Sequence, residues 1–168
     1  MADRPTHGFA LVLHSLIAVC LVCAPVIGQS GTAGSDRLLL GTWRLDLTKS
    51  SYFPGPPVKS ETRTYTADKE GVKGVITRVH ADGRVETIEY RANADREQAV
   101  TGTPAYDSIK LRKLDDHTWD STLSHAGMVF GTARRTISPD GRSMTITFER
   151  KTSQDTVRNI AVYQRVAE

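Results

Sequence analysis

Cysteine is nearly absent from this chain. The only two, Cys20 and Cys23, sit in an apolar N-terminal stretch. Everything after that stretch is free of thiols, which excludes a disulfide and a thiolate metal site there. An oxidising compartment is compatible with this and not required by it. Large aromatics are scarce too, with two Trp, five Tyr and four Phe in 168 residues, so any core is thin. Charge of one sign never accumulates: the net charge is +3, with Lys and Arg spread along the chain. That gives no stripe for a nucleic acid. No window of a dozen residues keeps a helical apolar stripe. A nucleophile elbow, a P-loop, a dinucleotide fingerprint and a zinc-ligand spacing are all missing. An enzyme working at a barrel mouth would therefore rest on the versatility of the fold alone, and the reading is non-enzymatic.

What is present begins with a targeting pattern. Residues 9–23 are apolar apart from His14 and Ser15, follow a polar start carrying Arg4, and precede Pro25 and the small residues around Gly28. This order predicts a signal peptide over 1–28, cleaved after Gly28, and export to a periplasm or the extracellular space. The apolar run falls short of the ~20 residues of a membrane span. An uncleaved anchor is the alternative, because Asp3 offsets Arg4. Val19 and Val22 precede the two cysteines where a lipoprotein signal needs small residues, so both cysteines read as apolar filler. Residues 29–37 are mostly Gly, Ser, Thr and Ala and read as a flexible lead-in. The domain is then 38–168, a size that fits one core.

Period-two alternation recurs through that domain. Strands are expected over 38–47, 61–67, 72–80, 85–92, 108–114, 117–124, 128–138, 142–150 and 156–166. The intervening turn signals include Asp82-Gly83 and Pro139-Asp140-Gly141. Residues 48–59, with Pro54-Gly55-Pro56-Pro57, are read as neither helix nor strand, and 93–106 as a loop. About nine short strands joined by tight turns predict an all-β, antiparallel up-and-down β-barrel of about 8–10 strands. Closure is favoured over a sandwich because it removes both sheet edges. Inward sets are Ile109 and Leu111; Trp119, Ser121 and Leu123; and Met144, Ile146 and Phe148.

The ends of the domain carry a resemblance. Gly41-Thr42-Trp43-Arg44-Leu45 opens it and Ala161-Val162-Tyr163-Gln164-Arg165 closes it. Together they resemble the first and last strands of calycin β-barrels, the lipocalins and fatty-acid-binding proteins. The whole opening, 41–57, looks most like uncharacterised secreted bacterial proteins described as lipocalin-like. The resemblance implies that Trp43 plugs the barrel floor, that Gly41 permits close approach of a neighbour, and that Arg165 lies across the indole to close the barrel. Two departures stand out. Ala161 occupies the position where fatty-acid carriers commonly place an Arg for the ligand carboxylate, and the proline run replaces their helical lid.

Strict alternation places Met128, Phe130, Thr132 and Arg134 on one face, and Ala161, Tyr163 and Arg165 on another. If these faces point inward, Met128, Phe130, Arg134 and Tyr163 line a ligand site with aromatic walls and a cation, suited to a small hydrophobic or amphipathic molecule. The competing reading of Arg134 and Arg135 is that they straddle the sheet, the inward one salt-bridged near a rim. His80 shares a face with Val72 and Ile76 and is read as a strand-end residue, a haem ligand being the remote alternative. His117 and His125 flank one strand, too far apart to share a metal, and Glu86 and Glu89 fall on opposite faces. No paired carboxylates, no metal site and no cofactor are expected. The functional expectation is a secreted or periplasmic lipocalin-like carrier with no nucleic-acid partner and no membrane span after cleavage. The alternative is an envelope structural or interaction protein whose barrel is filled by its own side chains.

Overall fold

The computed structural model describes residues 37–69, 71–153 and 156–167. The expected signal peptide, and the lead-in up to residue 36, lie outside the described residues. Ten strands follow in order: β1 (Gly41–Phe53), β2 (Ser60–Asp68), β3 (Gly71–Val79), β4 (Val85–Arg91), β5 (Glu97–Thr101), β6 (Ser108–Lys113), β7 (Thr118–His125), β8 (Met128–Ile137), β9 (Ser143–Lys151) and β10 (Thr156–Arg165). Each pairs antiparallel with the next, and β1 pairs with β10, so the meander closes into a barrel without a free edge. Among the described residues there is no helix.

Because the strands run alternately up and down, connections fall at two opposite ends. Residues 37–40, 92–96, 114–117 and 138–142 lie at one end, the floor. Residues 54–59, 80–84, 102–107 and 126–127 lie at the other, the mouth. Inside, alternation places one residue in two against the core, as pleating requires. Trp119, Ser121 and Leu123 of β7, Ile109 and Leu111 of β6, and Met144 and Ile146 of β9 are all buried.

The floor is built from the two ends of the domain. Trp43 is fully buried, and its indole N–H donates to the Leu39 carbonyl at 2.9 Å. The Arg165 guanidinium lies 4.2 Å from the Trp43 ring centroid. It also donates to the carbonyls of Gly141 (2.7 Å), Leu38 and Leu40. Gly41 has φ +110, and a Cβ there would stand 2.8 Å from Arg165 Nη1. Glycine is therefore required twice over, by its backbone conformation and by the cation beside it. One arginine ties the first strand, the chain before it and the β8–β9 turn to the last strand.

Two stretches depart from expectation. The first strand does not end at residue 47 but continues to Phe53 through a bulge, between the pairs Asp46↔Val162 and Ser51↔Ile160. Local hydrogen bonds make the bulge possible. Asp46 Oδ1 accepts from the N–H and hydroxyl of Thr48, at 3.1 and 2.6 Å, and the Ser50 hydroxyl bridges the Asp46 carbonyl and the Val162 N–H. The expected loop at 93–106 contains β5, which pairs through Tyr90↔Val100 and Gln98↔Ile109. In Glu97–Thr101 only Val100 is buried, so the short segment shows no apolar alternation.

Candidate functional site

The barrel is not solid. A cavity of about 370 Å³ opens toward the mouth. Ile76, Ile109, Leu123 and Ile146 supply apolar wall, and Tyr106, Phe130 and Phe148 form an aromatic file along it. The ring centroids of Tyr106 and Phe130 are 5.9 Å apart, and those of Phe130 and Phe148 are 6.1 Å apart. Tyr106 comes from the 102–107 connection, so the segment after β5 forms part of the mouth wall.

Four guanidiniums face this space, from Arg63, Arg78, Arg135 and Arg150. Two belong to a closed network. Glu61, 3% exposed, accepts from Arg63 Nε and Tyr163 Oη through Oε1 and from Arg78 Nε through Oε2, each at 2.6 Å. Arg63 also lies 5.1 Å from the Tyr163 ring centroid. Arg78 reaches on to Glu86 Oε2 at 3.2 Å, where His80 Nε2 also stands at 3.2 Å. Burial is the largest influence on Glu61 and pushes its pKa up. Arg63, Arg78 and the Tyr163 hydroxyl outweigh it and hold the carboxyl at about 2. These groups satisfy one another and brace the wall.

Arg135 is different. It is 3% exposed, with no carboxylate beside it among the described residues. Its Nη2 donates to the Tyr90 hydroxyl at 3.0 Å, and its guanidinium lies 5.0 Å from the Tyr65 ring centroid. Its Nε and Nη1 meet no acceptor among the described residues. The Tyr65 and Tyr90 hydroxyls are 3.2 Å apart. Burial would raise the Tyr65 phenol, but Arg135 and Arg63 outweigh it and lower its pKa. Gly74 makes room for the pair, since a Cβ there would stand 3.0 Å from the Tyr65 ring and 3.1 Å from that of Tyr90. A buried guanidinium cannot shed its proton, and burying it without a counter-charge is costly. What meets this cation is aromatic faces, one phenol and the cavity.

Of the four residues the sequence nominated for a ligand site, Phe130 and Tyr163 line the cavity. Met128 and Arg134 do not. Met128 is 72% exposed at the mouth rim, and Arg134 lies on the outer surface, bound to Asp120 at 2.8 and 3.0 Å. Met128 is exposed because it is the first residue of β8, at the rim, whereas for Arg134 the cause is a bulge in β8. Leu123 pairs with Gly131 but Ser124 pairs with Val129, which leaves Phe130 as an extra residue. One extra residue inverts the alternation, so Phe130 faces inward together with Ala133 and Arg135 rather than with Arg134. Gly131 allows the close approach, because a Cβ there would stand 2.7 Å from the Phe148 ring and 2.9 Å from the Glu149 carbonyl. Gly41, Trp43 and Arg165 meet at the floor, outside the cavity.

The sequence reading missed Glu61, Arg63 and Arg78. A signal was present, since Glu61, Arg63 and Tyr65 alternate with a run of threonines. Both faces are polar, however, and nothing marks the charged one as inward. Glu61 and Glu86 are both buried, so two carboxylates do come inside, joined through Arg78. Among the described residues no group of three His, Cys, Asp or Glu gathers around a metal position.

No protein-family model and no curated protein matches the sequence. Among solved structures, a zebrafish ileal bile acid-binding protein complexed with cholic acid aligns with a TM-score of 0.46 at 10% identity. The alignment covers 77% of this chain and 99% of that one.

Proposed function

We propose that this protein is an exported, non-enzymatic carrier whose barrel takes up a small amphipathic anion. The acidic group would sit against Arg135 and the apolar body along Phe130, Phe148 and Ile146. The observation that carries this reading is Arg135: a buried cation with two N–H groups lacking acceptors among the described residues, on the wall of an apolar cavity. A bound carboxylate, sulfonate or phosphate would supply the missing counter-charge with charge-assisted hydrogen bonds. The volume falls in the range of small-molecule sites, roughly 300–1,000 Å³. The alternative from the sequence, an envelope protein with a side-chain-filled barrel, calls for a packed interior, and the open cavity favours the carrier reading over it. The resemblance of the strand ends to lipocalins and fatty-acid-binding proteins points the same way. Arg135 would then do from β8 what Ala161 on β10 cannot.

The test is native mass spectrometry of the protein purified without detergent and offered a panel of amphipathic anions. A defined one-to-one adduct that leaves on denaturation and is absent from the Arg135→Met variant supports the reading. A bare mass with every anion overturns it.

A further inference from the structure

The cavity holds a second cation whose requirements are unmet. Arg150 lies on the inward face of β9, in step with Met144, Ile146 and Phe148, and its guanidinium stands 4.9 Å from the Phe130 ring centroid. Its Nε is buried with no acceptor among the described residues. Among the described residues it has no carboxylate partner, because Glu61 is taken by Arg63 and Arg78, and Glu86 by Arg78 and His80. Among the described residues, four guanidiniums thus face two carboxylates inside one barrel, and the two left over are Arg135 and Arg150.

Their positions are set by register. Arg135 pairs with Ile146 across β8 and β9. Arg150 lies four residues further along β9, toward the mouth, or roughly 13 Å at the ~3.3 Å rise of a strand. Between them the inward side chains are Ile146 and Phe148, with Phe130 alongside. One unpaired cation therefore stands toward the floor and one at the mouth, with an apolar and aromatic wall between.

We infer that the ligand is a dianion, an elongated apolar body with an acidic group at each end. One end is held by Arg135 and the other by Arg150. This rests on the carrier reading and deepens it, because a monoanion would answer only one of the two cations. A flexible or aromatic dicarboxylic acid has the required form. Neutralising both guanidiniums leaves the interior balanced, whereas a fatty acid places its methyl end against Arg150.

The experiment is calorimetric titration of the protein with straight-chain α,ω-dicarboxylic acids of graded length, each beside the monocarboxylic acid of equal length. At the best length the diacid is expected to bind about tenfold more tightly or better, as one added charge-assisted hydrogen-bonded contact provides. Arg150→Met is expected to bring the diacid down to the level of the monoacid, and Arg150→Lys to keep part of the preference. Equal affinity for the two acids at every length overturns the dianion, with Arg150 then a hydrated cation and the carrier reading intact. Binding of neither acid overturns both readings. The comparison of acids on the unaltered protein stands whether or not an Arg150 variant folds.

Discussion

Arg134 and Arg135 are adjacent in the chain and lie on opposite sides of the barrel wall. Arg134 holds Asp120 at the surface, while Arg135 is buried between Tyr65, Tyr90 and the cavity. The side each takes depends on one extra residue at Phe130, a few positions upstream. The chemistry of the interior is thus set by a bulge as much as by residue type.

Gly131 beside that bulge has little room to change. Gly131→Ala brings a methyl into the Phe148 ring and the Glu149 carbonyl. A loss of about 1–3 kcal/mol is expected in denaturant unfolding, typical of overpacking. An unchanged midpoint would mean that the two strands part more easily than this packing implies.

The Glu61 network predicts acid sensitivity. The folded-state pKa of about 2 lies below the ordinary 4.5, so the carboxylate stabilises the fold fully above the higher value. That contribution is lost progressively as pH falls toward the lower one. It amounts to on the order of 3 kcal/mol. Glu61→Gln should remove this part of the acid dependence. It should also lower stability at neutral pH by about 3–5 kcal/mol, because Arg63 and Arg78 lose their counter-charge. Unfolding measured against pH in both proteins distinguishes the two effects.

Trp43→Ala should cost about 3–5 kcal/mol, as for other buried large aromatics. Arg165→Met should also destabilise, because it strips three carbonyls of their donor and the indole of its cation. If the thermal midpoint is unmoved in either variant, the floor does not depend on this pair.

The Tyr65 phenol should ionise below the ordinary tyrosine value of 10. Near-ultraviolet absorbance during a pH titration should show one early tyrosinate component, absent in Tyr65→Phe. In Arg135→Met it should move to higher pH, because a guanidinium that favours the phenolate is gone. A single late transition in all three proteins would contradict the arrangement around Arg135.

The barrel, its strand order and the inward faces of β6, β7 and β9 were legible because period-two patterns and tight turns are local signals. Trp119, Ser121 and Leu123 show this plainly. The ends 41–45 and 161–165 were legible through motif resemblance. Three things were not. Bulges at 46–51 and at Phe130 consume residues without altering composition, so strict alternation carried Arg134 to the wrong side, while Met128 keeps its face but ends at the exposed rim. β5 has one buried residue and no pattern to read. The charged interior of β2 is satisfied by partners on β3 and β10, and partners so distant in sequence leave no local trace.

The most direct test of the central claim compares the neighbouring arginines. Arg134→Met and Arg135→Met are titrated with a fluorescent naphthalene sulfonate, alongside the unaltered protein. Saturable one-site binding is expected in the unaltered protein and in Arg134→Met, and a loss of at least about tenfold in Arg135→Met. Equal affinity in all three would contradict an anion site at Arg135 inside the barrel.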